Sequence, residues 1–318
     1  MRQPVAKLAV KGGVGKTSIA SATALWFSRH GRRTLAVSID PAHSLSDSFE
    51  ERIGHEVKQL EKNLYGMEID PAKSMQEYKD KFMPKIENSF LGSMGLEDTF
   101  DIAGMTPGMD EIAAFDRFLK YMNSDEYDVI VFDTAPTGHA LRFLSLPDVL
   151  DSWVGKMIKI RMQFAGIAGL VGRLLPFGSR SKSAADAASG EQPEKFGAEQ
   201  LEAMKQRIKA AKEILSDPKR THFSLVLIPE EMSIFESERS LEALKAYGIP
   251  VEGVVVNNIV PENTHCRFCS ERRQMQEARL KLIRQKFRKC GIKELHLFAE
   301  EVKGAVMLER VGLLLYGK

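Results

Sequence analysis

An α/β fold with a mostly parallel sheet and helices on both of its faces is predicted by three observations. Short, continuous apolar runs alternate with segments of helical periodicity. A glycine-rich loop lies between the first run and the first helix, and aspartates close two of the runs. Strands covered on both faces read as unbroken apolar runs, and joining them in parallel needs a crossover, usually helical.

The first run, Val5 to Val10, enters the loop VKGGVGKTS (residues 10–18) and then a helical stretch from Ile19 to Trp26. Strand, glycine loop and helix in that order form the context of a phosphate-binding loop. Gly12, Gly13 and Gly15 let the backbone N–H groups of Gly13, Val14, Gly15 and Ser18 converge on phosphate oxygens, and the helix N-terminus adds a positive dipole end. Lys16 would reach the β- and γ-phosphates and Thr17 would ligate Mg²⁺. A second lysine, Lys11, lies inside the loop, and Val10 occupies the usual first glycine position.

Gly31 to Arg33 reads as a helix end and turn. The next strands are expected at Thr34 to Ile39, Leu64 to Ile69, Tyr127 to Phe132, His222 to Leu227, Val251 to Val256 and Leu295 to Phe298. The whole chain, 1–318, reads as one ATPase-sized domain with two helical insertions, at about 71–110 and 146–215. The second insertion carries a small, polar linker from Pro176 to Pro193. Most of the 14 methionines lie between Met67 and Met162. Periodicity alone reads them as helical core, although methionine also suits adaptable binding surfaces.

With 318 residues, the chain is long enough for a substantial core. A net charge of +2 with interspersed signs gives no basis for nucleic-acid binding. The longest uncharged apolar run, Met162 to Gly172, is short of the roughly 20 residues of a membrane span. Three cysteines and no signal-like N-terminus predict a cytoplasmic protein that is not membrane-spanning.

Acidic residues at strand ends carry the remaining chemistry. Asp40 closes the second run and opens DPAHSLSD (residues 40–47). Phosphoryl transfer depends on positioning and charge neutralisation, so Asp40 suits a Mg²⁺-bound water and Asp47 the attacking water. On spacing alone, Asp47 also fits a helix-start cap. Asp133 opens DTAPTGHALR (residues 133–142) and suits a second carboxylate near magnesium. Cys266 and Cys269 form a C-x-x-C knuckle, while Cys290 is isolated. Two thiolates supply half of a tetrahedral zinc site, to be completed by histidines or by a symmetry-related pair; free thiols or a redox pair are the alternatives.

Together these segments resemble the arsenite-pump ATPase superfamily of dimeric, deviant phosphate-loop (SIMIBI) ATPases. The loop with its extra lysine, DPAHSLSD, PGMDE (107–111) and DTAPTGHALR carry that resemblance. The knuckle, IPE (228–230) and FESER (235–239) narrow it to the targeting ATPases of the guided-entry pathway. That resemblance implies a homodimer bridged by zinc on Cys266 and Cys269 of both subunits, with Lys11 reaching the opposing ATP. Asp47 would polarise the hydrolytic water, with Asp40 and Asp133 around magnesium. Asn257 matches an adenine contact and Glu230 a nucleotide-pocket residue. The insertions would form a groove shielding the transmembrane helix of tail-anchored proteins, with a membrane receptor as a further partner. Two departures stand out: Val10 in the loop, and His296 where the family carries proline. The alternatives are an arsenite-stimulated pump subunit, which needs soft thiolate ligands, and an ATP-independent holdase. A partitioning ATPase fits less well, because no terminal amphipathic helix is present.

Overall fold

The computed structural model describes residues 5–7, 13–39, 44–77, 80, 109–122, 124–134, 206, 209–210, 212–262 and 265–317. The strands are β1 (Val5–Lys7), β2 (Thr34–Ser38), β3 (Lys58–Glu61), β4 (Leu64–Glu68), β5 (Val129–Asp133), β6 (Phe223–Leu227), β7 (Val251–Ile259) and β8 (Gly291–His296). The helices are α1 (Lys16–Arg29), α2 (Ser44–Phe49), α3 (Met109–Met122), α4 (Glu231–Ala246), α5 (Arg267–Lys286) and α6 (Gly304–Tyr316). One hydrogen-bonded set runs β1-β5-β2-β4-β3 and a second runs β6-β7-β8, with β6 alongside β1. Every strand pair is parallel except β3–β4.

Alternation along the strands divides the apolar residues between two layers. Leu35, Val37, Ile130, Phe132, Val254 and Val256 join the layer containing α3 and residues of α4 and α5. Their neighbours Ala36, Val129, Val131 and Val255 face the layer of α1 and α6. Each large apolar side chain buried this way contributes roughly 1.5–3 kcal/mol. Helix α1 packs closely because its inward residues are small: a Cβ added to Gly312 of α6 would lie 3.2 Å from the Ala22 carbonyl oxygen. The helix ends in a Schellman motif, with Arg32 N–H bonded to the Phe27 carbonyl and Gly31 N–H to that of Ser28. Gly31 takes φ 77, the left-handed conformation that this stop requires.

Three strands depart notably from the sequence expectation. The antiparallel β3 was not expected, because its residues are polar and half-exposed at a sheet edge, where apolar patterning is weak. The last strand begins earlier than Leu295, at Gly291, and keeps Leu295 as its one buried residue. β7 is longer than expected. Its register against β8 shifts between Val256 and Ile259, where Asn258 takes φ 56. Ile259 therefore rejoins the layer of Val254 and Val256, which regular alternation would deny it.

The expected insertions lie mostly outside the described residues. Of the first, residues 71–77 are helical, and α3 begins at Met109. Of the second, residues 212–216 close a helix. Among the described residues, no helix is long and apolar enough to cross a membrane.

Candidate functional site

The loop before α1 is shaped by two glycines with positive φ, 74 at Gly13 and 87 at Gly15. Gly15 is the residue that hands the chain to α1, and its Cα faces the side chain of Asn257. The Asn257 amide donates from Nδ2 to the Val14 carbonyl over 2.9 Å, so the end of β7 is fastened to the loop. Lys16, Thr17 and Ser18 begin α1, where the first N–H groups have no intrahelical partner and the dipole favours an anion. Lys16 is buried, and Thr17 Oγ1 donates to Asp133 Oδ2 over 2.8 Å. These two oxygen donors, held together, suit a hard cation such as Mg²⁺. Lys11, Gly12 and Asp40 lie outside the described residues.

Asp133 belongs to a register row at the carboxyl ends of four strands. Lys7 pairs with Asp133, Asp133 with Ser38, and Ser38 with Glu68. Ligands of open α/β sheets bind at this edge. Glu68 is 2% exposed, and its carboxylate accepts the Ser46 N–H at 2.8 Å and the Ser46 hydroxyl at 3.0 Å. It thus satisfies an N–H in the first turn of α2, and Asp47 follows in that same turn, exposed. The sequence reading passed over Glu68. Its signal was a carboxylate ending an apolar strand, the cue that singled out Asp133.

Glu230 precedes α4 and forms a 2.5 Å ion pair with Arg272 of α5. Helix α5 is tied to the end of β7 as well: buried Gln276 accepts the Val260 N–H at 2.8 Å and donates to the Asn258 carbonyl at 3.2 Å. The same helix opens on the knuckle. Cys266 caps it, its sulfur accepting the Cys269 N–H at 3.4 Å. That N–H holds the Cys266 thiol below its ordinary pKa, while hydrogen bonding to Cys266 raises that of Cys269. Two partly exposed thiols at the positive end of a helix fit a soft ion such as zinc, as two of its four ligands. Phe268 between them is 74% exposed.

A second charged cluster anchors the root of the first insertion. Arg117 of α3 donates to Glu77 at 2.5 Å, to Glu56 at 2.7 Å and to the His55 carbonyl at 2.9 Å. The carboxylates and ring nitrogen of Glu56, Glu77 and His55 are close enough to hold a metal. Arg117 already supplies the cation there, and the cluster reads as a clamp.

A family model described as anion-transporting ATPase matches residues 5–317. The chain is 36% identical to ATPase GET3 of Podospora anserina over 307 residues, which is 94% of this chain and 86% of that protein. It is also 36% identical to ATPase GET3C of Arabidopsis thaliana, covering 96% of this chain and 80% of the relative. To ATPase get3 of Neurospora crassa it is 35% identical, over 94% and 86% of the two chains.

Proposed function

Since this chain belongs to the anion-transporting ATPase family, an ATPase whose substrate is ATP with magnesium, we propose that it targets tail-anchored membrane proteins. In this reading the chain works in the cytoplasm as a homodimer, shields the client's transmembrane helix, and releases it when ATP is hydrolysed. The observation that carries the proposal is similarity over nearly the full chain to proteins named ATPase GET3. The order of the loop, strand-end aspartates and knuckle supports it.

Hydrolysis divides among the chain's own groups. Backbone N–H groups from Gly13 to Ser18 and the Lys16 ammonium receive the β- and γ-phosphate oxygens, with Gly12 at the loop entrance. Thr17, with Asp133 and Asp40 nearby, would hold magnesium, whose charge would offset that of the phosphates. Asp47 orients a water in line with the γ-phosphorus. The new P–O bond forms as the bond to the β–γ bridging oxygen breaks; ADP and inorganic phosphate leave, and a proton of the attacking water passes to solvent. Lys11 reaches the partner's nucleotide and stabilises that charge. The Asn257 side-chain oxygen accepts from the adenine amino group, while its Nδ2 already holds Val14. Glu230 lines the pocket, steadied by Arg272.

Cys266 and Cys269 of two subunits would hold a zinc ion that joins the dimer, and Phe268 would be covered by the partner. The helical insertions near 71–110 and 146–215 supply the client groove. The arsenite alternative finds less support. A metalloid site built within one chain needs a third soft donor, and Cys290 lies past the far end of α5, a 20-residue helix. Such a helix spans about 30 Å. Cys290 also donates to the Val251 carbonyl, and burial pushes its thiol pKa up.

Co-expression with a protein ending in a single membrane helix, followed by affinity capture, tests the proposal. A stoichiometric complex that disappears when the helix is made polar supports targeting. Absence of a complex, with turnover raised several-fold by arsenite, favours the pump. Client capture with no ATP turnover would mark a holdase.

A further inference from the structure

We infer that Glu68 is a positioning residue for ATP hydrolysis: its buried carboxylate fixes the turn of α2 that carries Asp47. The inference rests on the reading of Asp47 as the group that orients the water. α2 has six residues, too few to hold its own shape in water. Its orientation must come from outside, and Glu68 supplies two bonds to one residue, Ser46. Hydrogen bonds to a carboxylate are roughly twice as strong as neutral ones. The Ser46 hydroxyl also accepts the Ile53 N–H at 3.0 Å, so the chain leaving α2 is gathered at the same point.

The placement of Glu68 matters as much as its bonds. It ends β4 in register with Ser38, and Ser38 is in register with Asp133. Asp133 holds Thr17 at the magnesium side. The group that orients water and the groups that hold magnesium are thereby referenced to one row of the rigid sheet. Asp47, one residue after Ser46, faces an open hollow lined also by Glu50, Glu301 and Lys303. A displacement of about 1 Å at such a group costs on the order of a hundredfold in rate.

The test compares steady-state hydrolysis and binding of a non-hydrolysable ATP analogue for Glu68→Ala, Glu68→Gln and Ser46→Ala, each alone and combined with Asp47→Asn. Glu68→Ala is expected to lower kcat roughly ten- to a hundredfold. Analogue affinity should stay within about threefold, because the loss concerns positioning and not binding. Glu68→Gln should recover most of the rate: its amide oxygen keeps the Ser46 N–H, and its amino group can donate to the Ser46 hydroxyl. In the Asp47→Asn background, Glu68→Ala should add no further loss. Affinity falling in parallel with kcat, or a fully additive loss, overturns the inference. Should Glu68→Ala fail to fold, Ser46→Ala, which removes only the hydroxyl bonds, decides: lowered kcat with intact binding supports it, and unchanged kcat overturns it. If Asp47→Asn collapses turnover while Glu68→Ala does not, this inference alone fails. If Asp47→Asn leaves kcat intact, the reading of Asp47 fails and this inference with it.

Discussion

Thr17 Oγ1 donates to Asp133 Oδ2 over 2.8 Å, joining two residues 116 positions apart in the chain. The bond ties the first turn of α1 to the end of β5, so the fold itself holds both oxygen donors side by side. Such preorganisation avoids reorganisation at the moment of reaction.

Removing one of those donors should separate binding from chemistry. Thr17→Ala is expected to lower magnesium-dependent turnover about a hundredfold or more, the scale of losing a preorganised charge-stabilising group. Thr17→Ser keeps the hydroxyl and should retain most activity. Rates measured across a magnesium titration check this, with the alanine variant needing more metal.

The loop glycines should differ in what they tolerate. At Gly15 a methyl group meets both a left-handed backbone and the Asn257 amide. At Gly13 φ is similarly positive, but the space beside the Cα is open. Gly13→Ala should cost only the backbone term, about 1–2 kcal/mol. Gly15→Ala should break the bond from Asn257 to Val14 and abolish nucleotide binding, as measured by calorimetry.

The clamp around Arg117 predicts a pH dependence of stability. His55 Nδ1 accepts the Asp70 N–H and Nε2 donates to Glu77, each over 3.1 Å, so the folded ring is neutral. Burial and then the Arg117 charge push its pKa down, against the pull of Glu77 and Glu56. The unfolded chain therefore binds a proton near pH 6.5 that the folded chain refuses. This contribution is whole above that pH and is lost progressively as pH falls toward the lower folded value. Urea unfolding at pH 7.5 and 5.5 should show a smaller acid-induced loss for His55→Gln than for the natural chain.

The knuckle predicts coupled loss of metal and assembly. On the proposed zinc-bridged dimer, the natural protein should carry one zinc per two chains, and Cys266→Ser or Cys269→Ser should remove it and give monomer, read by metal analysis with light scattering. Prolonged chelation of the natural protein should reproduce the monomer. A dimer that persists without zinc would show that other contacts join the subunits.

What could be read from the sequence was local. The spacing of Gly13, Gly15, Lys16 and Thr17 is a property of one turn, and Asp133 was found because it ends an apolar run. Glu68 and Arg272 act through partners 22 and 42 residues away, and Gln276 through partners 16 and 18 residues away, and only the tertiary fold supplies those partners. β3 was missed because an edge strand needs no apolar face, and its polar residues resemble a loop. Glu230 was placed in the pocket by resemblance alone, and its ion pair with Arg272 has no trace in spacing.

The left-handed Asn258 makes β7 a strand counted in twos with one position counted twice. Up to Asn257, odd and even positions keep their faces; after Asn258 the count is reset, and Ile259 faces the layer its number would deny it. Asparagine accepts this conformation more readily than a β-branched residue does. Ile259, paired with His296 of β8, carries the reset phase. A single residue inserted or deleted within β7 therefore changes which layer Ile259 faces, whereas a pair does not.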